Sequence, residues 1–296
     1  MSLRDPNQFF GIPSAGPETA DVLILQVPVE KTVCYGTGTG GGPLAILNAS
    51  SQVDTFDEET LVEFAAAPRL HVLSPVSGDG DMDACLQRIQ DRVRPLRNRF
   101  VLALGGEHLI TYGLVMGQVD DPTRLTIVQI DAHPDLADEL LGRRWSHGTV
   151  MRRLWEQGCG LLQIGIRSLT KSEYDFASAS PRITTFYAHR LQEQWNDVLL
   201  SLRNLTGDVY LTIDVDGLDP SIIPSTGTPQ PNGLSWRQLM DVLRSLFAES
   251  KCRLIGADVV EFIPSPTPPG CDPAAARIVT KTLAWWWVGK QNRQTS

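Results

Sequence analysis

The sequence predicts an α/β protein in which a parallel sheet carries helices on both faces. Three observations predict it. Short runs rich in Val, Ile and Leu recur along the whole chain. Within most of them the apolar residues are consecutive and do not alternate with polar ones, which is how strands buried on both faces read. Longer amphipathic segments lie between the runs, as in a chain that alternates strand and helix.

Taken in order, the first strand is VLILQV (22–27), and Pro43 is placed to open a helix after it. LHVLS (70–74) is the second strand, followed by the amphipathic DACLQRIQDRV (83–93). FVLAL (100–104) and LTIVQI (125–130) are the third and fourth, and GTVMRRLWEQ (148–157) is the next helix. LLQIGI (161–166) and ITTFY (183–187) are the fifth and sixth, before the helix LQEQWNDVLLSL (191–202). VYLTI (209–213) is the seventh, SWRQLMDVLRSLF (235–247) a helix, and LIGADVV (254–260) the eighth strand. The Pro-rich stretches 219–233 and 263–273 read as long loops. No repeat, low-complexity tract or clear linker divides the chain, so one domain over residues 1–296 is expected.

Bulk properties narrow the function classes. A chain of 296 residues with 42% hydrophobic content can bury a sizeable core. Its net charge is -8 and its pI about 5.1. That argues against nucleic acid as a partner, because phosphate binding wants a basic face. The five cysteines (34, 85, 159, 252, 271) are scattered, odd in number and without C-x-x-C, which favours free thiols in a reducing compartment. MSLRDPNQFFGIPSAG lacks a basic region followed by a long apolar run, so no signal peptide is expected. No stretch approaches the roughly 20 apolar residues of a membrane span, and LAWWWV near the C-terminus is too short. A cytoplasmic protein with no membrane partner is the expectation.

One stretch competes with a purely structural reading. In YGTGTGGGP (35–43), Gly36, Gly38 and Gly41 fit G-x-G-x-x-G, and Asp54 to Glu59 could supply the acid of a dinucleotide fingerprint. The glycines come several residues after the strand, past Pro28 and Lys31, and no G-K-[ST] follows, which excludes a Walker loop. The loop therefore reads as a flexible connection whose Pro43 starts a helix at its first turn.

The chemistry lies at the carboxyl ends of four strands. FVLAL runs into Gly105-Gly106-Glu107-His108, LTIVQI into Asp131-Ala132-His133-Pro134-Asp135, VYLTI into Asp214-Val215-Asp216, and LIGADVV into Glu261. Ligands of open parallel sheets sit beyond those ends. In extended backbone, residues i, i+2 and i+4 share a side. Asp131, His133 and Asp135 are thus expected to converge, as are Asp214 and Asp216. With His108 this makes four carboxylates and two imidazoles. Such carboxylates repel and some stay protonated unless cations neutralise them. An oxygen and nitrogen donor set without thiolate suits Mn²⁺ best, with Fe, Co, Ni or Zn as substitutes. An Asp shared between two ions would hold them about 3.5–4 Å apart.

GGEH, DAHPD, SHG (146–148), DVDGLDP (214–220), STGTP (225–229) and VVE (259–261), in this order, resemble the ureohydrolases, the family of arginase and agmatinase. The resemblance runs from about residue 22 to 288. It implies a three-layer αβα sandwich with a central eight-stranded parallel sheet, the fold type of arginases and deacetylases. It implies two Mn²⁺ per subunit, hydrolysis of a small-molecule guanidino compound to urea and an amine, and a homotrimer or homohexamer. Carried onto this chain, one ion would be held by His108, Asp131, Asp135 and Asp214. The other would be held by Asp131, His133, Asp214 and Asp216, with Asp131 and Asp214 bridging. His147 matches the family's mobile histidine near the leaving group, and Glu261 the glutamate that receives the guanidinium. Glu107 stands where many members carry Asp and is not a ligand in the pattern. STGTP would shape the site and support the ligands. The glycine loop becomes a rim loop; many relatives have arginines there, near positions where this chain has Gly40 and Leu47. Trp285 to Trp287 would pack a terminal helix or a subunit interface.

These residues suit the reaction. Guanidinium is resonance-stabilised and a poor electrophile, so it needs a strong nucleophile at neutral pH. A water shared by two Mn²⁺ ions has its pKa pulled toward about 7. Glu261 would orient the guanidinium by charge-assisted hydrogen bonds, and Asp216 would take the proton from the nucleophile. His147, with an ordinary pKa near ~6.5, would protonate the departing amine.

The rim selects the substrate. Arginases carry an Asn just before the HG and a Ser shortly after, and RRWSHGTVMRR (143–153) has neither. H-G-T is more like agmatinases and guanidino-acid hydrolases. Asp138 or Glu139 would meet a distal amine, and Arg143 or Arg144 a carboxylate. Arg152 and Arg153 are expected on a solvated helix face. The pattern is closest to agmatinase, which converts agmatine to putrescine and urea in polyamine biosynthesis. The alternatives are a guanidino-acid hydrolase of the guanidinobutyrase type, an arginase or a formimino-glutamate hydrolase. Other classes are a metal-dependent deacetylase, a two-metal phosphohydrolase and a noncatalytic binding relative. The paired Asp131 and Asp216 argue against a one-ion deacetylase, the lack of basic residues in the motifs against phosphate, and the intact ligand set against loss of catalysis.

Overall fold

All eight apolar runs form strands in the computed structural model, which describes residues 8–265 and 270–295. The first seven residues of the segment read for a leader, and residues 266–269 of the second Pro-rich stretch, lie outside those residues. The strands are β1 (Val22–Val27), β4 (Leu70–Leu73), β5 (Phe100–Gly105), β6 (Leu125–Ile130), β7 (Gly160–Ile166), β8 (Ile183–Tyr187), β9 (Asp208–Asp214) and β10 (Arg253–Val260). A small antiparallel hairpin, β2 (Phe56–Asp57) and β3 (Val62–Glu63), stands apart from the sheet. The helices are α1 (Gly42–Ser50), α2 (Met82–Val93), α3 (Ile110–Gln118), α4 (Val150–Glu156), α5 (Lys171–Ala179), α6 (Leu191–Arg203), α7 (Trp236–Arg244) and α8 (Asp272–Thr295).

The sheet is parallel throughout, in the order β4-β1-β5-β10-β9-β6-β7-β8. Alternate residues of each strand feed two cores. Val22 and Ile24 face the core built with α1, α6, α7 and α8, while Leu23, Leu25 and Val27 face the one built with α2, α3, α4 and α5. Two such cores explain the consecutive apolar residues, because both faces of each strand leave water. The result is the three-layer αβα sandwich that the resemblance implied. Sequence periodicity did not single out α3 or α5. In α3 the buried residues Ile110, Thr111, Gly113, Leu114, Val115, Gly117 and Gln118 run around the helix, which erases the amphipathic signature.

The aromatic run near the C-terminus packs within the chain. Trp285 and Trp286 are buried in α8, and Trp286 stacks on Phe100 with ring centroids 4.7 Å apart. The first Pro-rich stretch is a loop whose turn is held by Asp219, which accepts N–H bonds from Ser221, Asn232 and Gly233. No helix among the described residues is long and apolar enough to cross a membrane.

Candidate active site

The four strands that end in ionisable residues are consecutive neighbours, β5-β10-β9-β6. Their carboxyl ends open into a pocket of about 660 Å³ that is lined by His108, His133, Asp135, Asp214, Asp216 and Glu261, with His147 and Glu139 also on its walls. Gly106 makes the approach of the first loop possible. It donates its N–H to the Val27 carbonyl, and a Cβ on it would lie 2.0 Å from the Val29 carbonyl oxygen. Glu107 follows, fully buried, and accepts from the Thr32 N–H at 2.7 Å and the Thr32 hydroxyl at 2.8 Å. Thr32 Oγ1 in turn accepts the His147 N–H at 3.1 Å. Glu107 therefore acts through Thr32 on the placement of His147. Burial raises its pKa, and the bonds from Lys31 and Thr32 offset part of that rise.

The convergence of the carboxylates differs in origin from strand alternation. β6 ends at Ile130, so 131–135 is loop, and Asp135 takes a left-handed backbone with φ 52°. Asp214 closes β9, whereas Asp216 sits in a 3-10 turn, Val215–Gly217. Local N–H groups orient the side chains instead. Asp131 Oδ1 accepts from His133 N at 2.6 Å, Asp214 Oδ1 from Asp216 N at 2.9 Å, and Asp216 Oδ1 from Ala132 N at 3.0 Å. In each case the second oxygen turns to the centre. His108 Nδ1 lies 3.2 Å from Asp131 Oδ2, 2.9 Å from Asp135 Oδ2 and 3.5 Å from Asp214 Oδ2. His133 Nδ1 lies 3.1 Å from Asp216 Oδ2 and 3.6 Å from Asp131 Oδ1.

Two sets of donor atoms are close enough to hold an ion each: His108, Asp131 and Asp135, and Asp131, His133 and Asp216. Asp131 belongs to both, while Asp214 stands just outside them. His108 Nδ1 is buried without a hydrogen-bond partner. An orphaned imidazole nitrogen facing three carboxylate oxygens fits a cation bound between them.

The electrostatics agree. Burial opposes the charged form of Asp131, but with no cation beside them His108 and His133 are protonated, and their hydrogen-bonding and charge hold its pKa well below the usual carboxylate range. Burial and the charge of Asp131 push Asp135 up to about 7. Burial and neighbouring Asp216 raise Asp214, and burial and Asp131 raise Asp216. Burial would lower His133, yet Asp131 and Asp216 lift it to about 11. Crowded acids that resist ionisation together are what divalent cations relieve. Glu261, at φ 62°, gives one oxygen to the His108 N–H at 2.6 Å, and burial raises it to about 8. Burial lowers His147 to about 4.

Several supporting residues escaped the sequence reading. Gln129 Nε2 donates to Asp131 Oδ2 at 2.7 Å, Gln163 Nε2 to Gln129 Oε1 at 2.6 Å, and the Thr185 hydroxyl to Gln163 Oε1 at 2.9 Å. Arg167 Nη2 donates to the carbonyls of Asp216 at 2.6 Å, Gln230 at 2.9 Å and Leu218 at 3.3 Å, clamping the loop after β9. The only signal was polar residues inside strands read as apolar, and one Arg just past a strand end.

At the rim, Asp138 is engaged by Arg153 Nη2 at 2.8 Å. Arg153 is 1% exposed, which corrects the expectation that it lies on a solvated face. Its head turns inward because the Asp138 loop folds back over α4. Arg144 pairs with Glu156, and Arg143 Nη1 reaches the Lys31 carbonyl. Glu139 lines the pocket with no ion-pair partner among the described residues. The glycine loop also lies at the mouth, through Tyr35 and Gly36. Glu30 accepts the Gly38 and Gly40 N–H groups at 2.7 and 2.8 Å, so the amides that could have cradled a phosphate already hold a carboxylate. A Cβ on Gly36 would lie 2.7 Å from Gly227 Cα; the glycine lets the rim loop meet the STGTP segment.

The sequence profile of the arginase family matches residues 20–284. An N(1)-aminopropylagmatine ureohydrolase of Synechocystis sp. is 32% identical over 98% of this chain and 100% of its own length. An agmatinase of Pyrococcus horikoshii is 32% identical over 84% of this chain and 86% of its own. Among solved structures, an agmatine ureohydrolase of Thermoplasma volcanium shares the fold, with a TM-score of 0.82 and 22% identity over 94% of this chain and 93% of that one. The profile match across most of the chain, together with this sheet and its rim of His and Asp residues, shows that the chain belongs to the arginase family and is a ureohydrolase.

Proposed function

We propose that the chain is a two-metal ureohydrolase that releases urea from a guanidino compound bearing a distal amine, with agmatine as substrate and putrescine as the second product. The observation that carries this is the shared Asp131 between two donor sets, with His108 Nδ1 orphaned between carboxylates. His108, Asp131, Asp135 and Asp214 would hold one Mn²⁺, and Asp131, His133, Asp214 and Asp216 the other. Two divalent ions so held would supply a nucleophilic water at neutral pH. The chain's residues do the rest. Glu261 lines the pocket and has one oxygen not bonded to the His108 N–H; it would receive the cationic guanidinium, whose charge restores the carboxylate that burial disfavours. Asp216 Oδ2, 3.5 Å from the Thr228 hydroxyl, would take the proton of the attacking water. His147 would carry a proton to the leaving amine. Water adds to the guanidinium carbon, the C–N bond to the amine breaks, and urea and the protonated amine leave.

Glu139 supports an amine tail over a carboxylate, since Arg143 and Arg144 are turned to other partners. The pocket volume and the Synechocystis relative favour a second reading, an agmatine extended by an aminopropyl group. We infer a single ureohydrolase unit over 1–296, acting in the cytoplasm as a homotrimer or homohexamer in polyamine biosynthesis. The test is urea release from Mn²⁺-loaded protein with agmatine, N(1)-aminopropylagmatine, arginine and 4-guanidinobutyrate. Urea from one of the first two is expected. No urea from any of the four, with two ions bound, would overturn the reading.

A further inference from the structure

Behind His108 lies a buried polar chain that no part of the reaction above uses. On β9, Tyr210 and Thr212 share a face with Asp214 at two-residue spacing. Thr212 is the register partner of Asp258 on β10. Asp258 is fully buried and accepts three hydroxyls: Thr212 at 2.5 Å, Thr111 of α3 at 2.8 Å and Tyr210 at 2.9 Å. Thr212 Oγ1 also lies 2.9 Å from His108 Nε2.

Hydrogen counting gives these bonds a direction. A hydroxyl has one hydrogen, and the carboxylate can only accept. The Thr212 hydrogen therefore goes to Asp258, and its oxygen must accept from His108 Nε2–H. In the neutral ring that binds a cation, a hydrogen on Nε2 leaves the lone pair on Nδ1. Nδ1 is the atom that faces Asp131, Asp135 and Asp214 and has no hydrogen-bond partner.

We propose that Asp258, acting through Thr212, is a positioning residue that holds His108 in the ring orientation and tautomer that can bind a cation at Nδ1. The hydroxyls of Thr111 and Tyr210 both bind Oδ2 and leave Oδ1 to Thr212, so removing one of them leaves the other to hold Oδ2 and spares the Thr212 link. An amide at position 258 can present N–H to Thr212. The Thr212 hydrogen then turns toward His108 Nε2, and the ring hydrogen is driven to Nδ1, against the cation.

The proposal rests on the two-metal reading and is separable from it. Metal-free protein, prepared by chelation, is titrated with Mn²⁺ by calorimetry, and its Tm is measured without metal. Wild type is expected to bind two ions. Asp258→Asn and Thr212→Val are expected to weaken one of them by about 10–100-fold, the usual cost of losing a hydrogen-bond partner of a metal-binding histidine. Thr212→Ser is expected to restore wild-type affinity, and Tyr210→Phe, which spares the Thr212 link, to leave it unchanged. A purely structural role would lower Tm in all of these variants without moving the affinity of the folded fraction, and that result overturns the proposal. So does Tyr210→Phe weakening the metal as much as Thr212→Val. If Thr212→Val does not fold, Asp258→Asn against Tyr210→Phe decides. Wild type that binds no Mn²⁺ would instead sink the two-metal reading.

Discussion

Replacing Asp131 by Asn tests the centre of the site, and its effect can be worked from the hydrogen bonds. Both carboxylate oxygens already accept: Oδ1 from the His133 N–H at 2.6 Å and Oδ2 from Gln129 Nε2 at 2.7 Å. An amide has one oxygen, so either orientation sets its NH₂ against a donor. One buried donor is left unsatisfied, at about 1–3 kcal/mol. The lost charge relieves repulsion toward Asp135, Asp214 and Asp216 but also gives up the attraction of His108 and His133, the larger effect, since the Asp131 pKa lies well below the usual range. Stability without metal should therefore fall, by about 1–3 kcal/mol. Metal binding should fall much further, because Asp131 is the residue common to both donor sets. Losing a mere supporting partner costs about 10–100-fold in affinity or activity, so losing a shared donor should exceed about 100-fold. The assay is metal content by mass spectrometry after dialysis, beside urea release and urea denaturation. A variant that keeps two ions and wild-type urea release would refute the reasoning.

Other outcomes follow from the same geometry. His147 touches Thr32 and Ser146 but belongs to neither donor set; His147→Ala should keep both ions and slow kcat by about 100-fold or more, the usual scale of a lost acid–base group, and loss of metal would show the shuttle role to be wrong. Glu139 is exposed, so Glu139→Gln should raise KM for an amine-tailed substrate only about 1.5–5-fold, on the order of an exposed ion pair; unchanged kinetics would remove it from the rim site. Lys281 and Asp57 form a buried pair at 2.8 Å, so Lys281→Met should cost about 3 kcal/mol by stranding the carboxylate, at the low end because Arg277 stays within 4.0 Å. Burial opposes the ionised Asp57, but Lys281 and Thr60 bring its pKa below the usual value, so its contribution is full above about pH 4 and is lost as pH falls through the folded value. The gap between wild type and Lys281→Met in denaturation curves should thus be widest near neutrality and narrow toward pH 3; a gap that grows in acid would contradict the assignment.

The strands were legible because each is buried on two faces, and consecutive Val, Ile and Leu are the direct record of that burial. The rim residues were legible because DAHPD and DVDGLDP are local: each places its side chains within a few residues of a strand end. α3 and α5 were not, since a helix buried on most sides, or a short one largely polar, loses its period. Arg153 was misread as solvated because what buries it is the Asp138 loop, about 15 residues upstream.

By itself the sequence determined the strands, the residues at their ends and the resemblance they carry. The tertiary structure decided how they meet. β5 and β10 are far apart in the chain, and only their pairing brings Glu261 to the His108 N–H. Only the pairing of β10 with β9 sets Asp258 behind Thr212. The glycine loop is settled the same way, by Glu30 filling its amides. Local patterns record what each segment buries, whereas hydrogen-bond direction and the neutralisation of buried charge depend on partners that only the folded chain supplies.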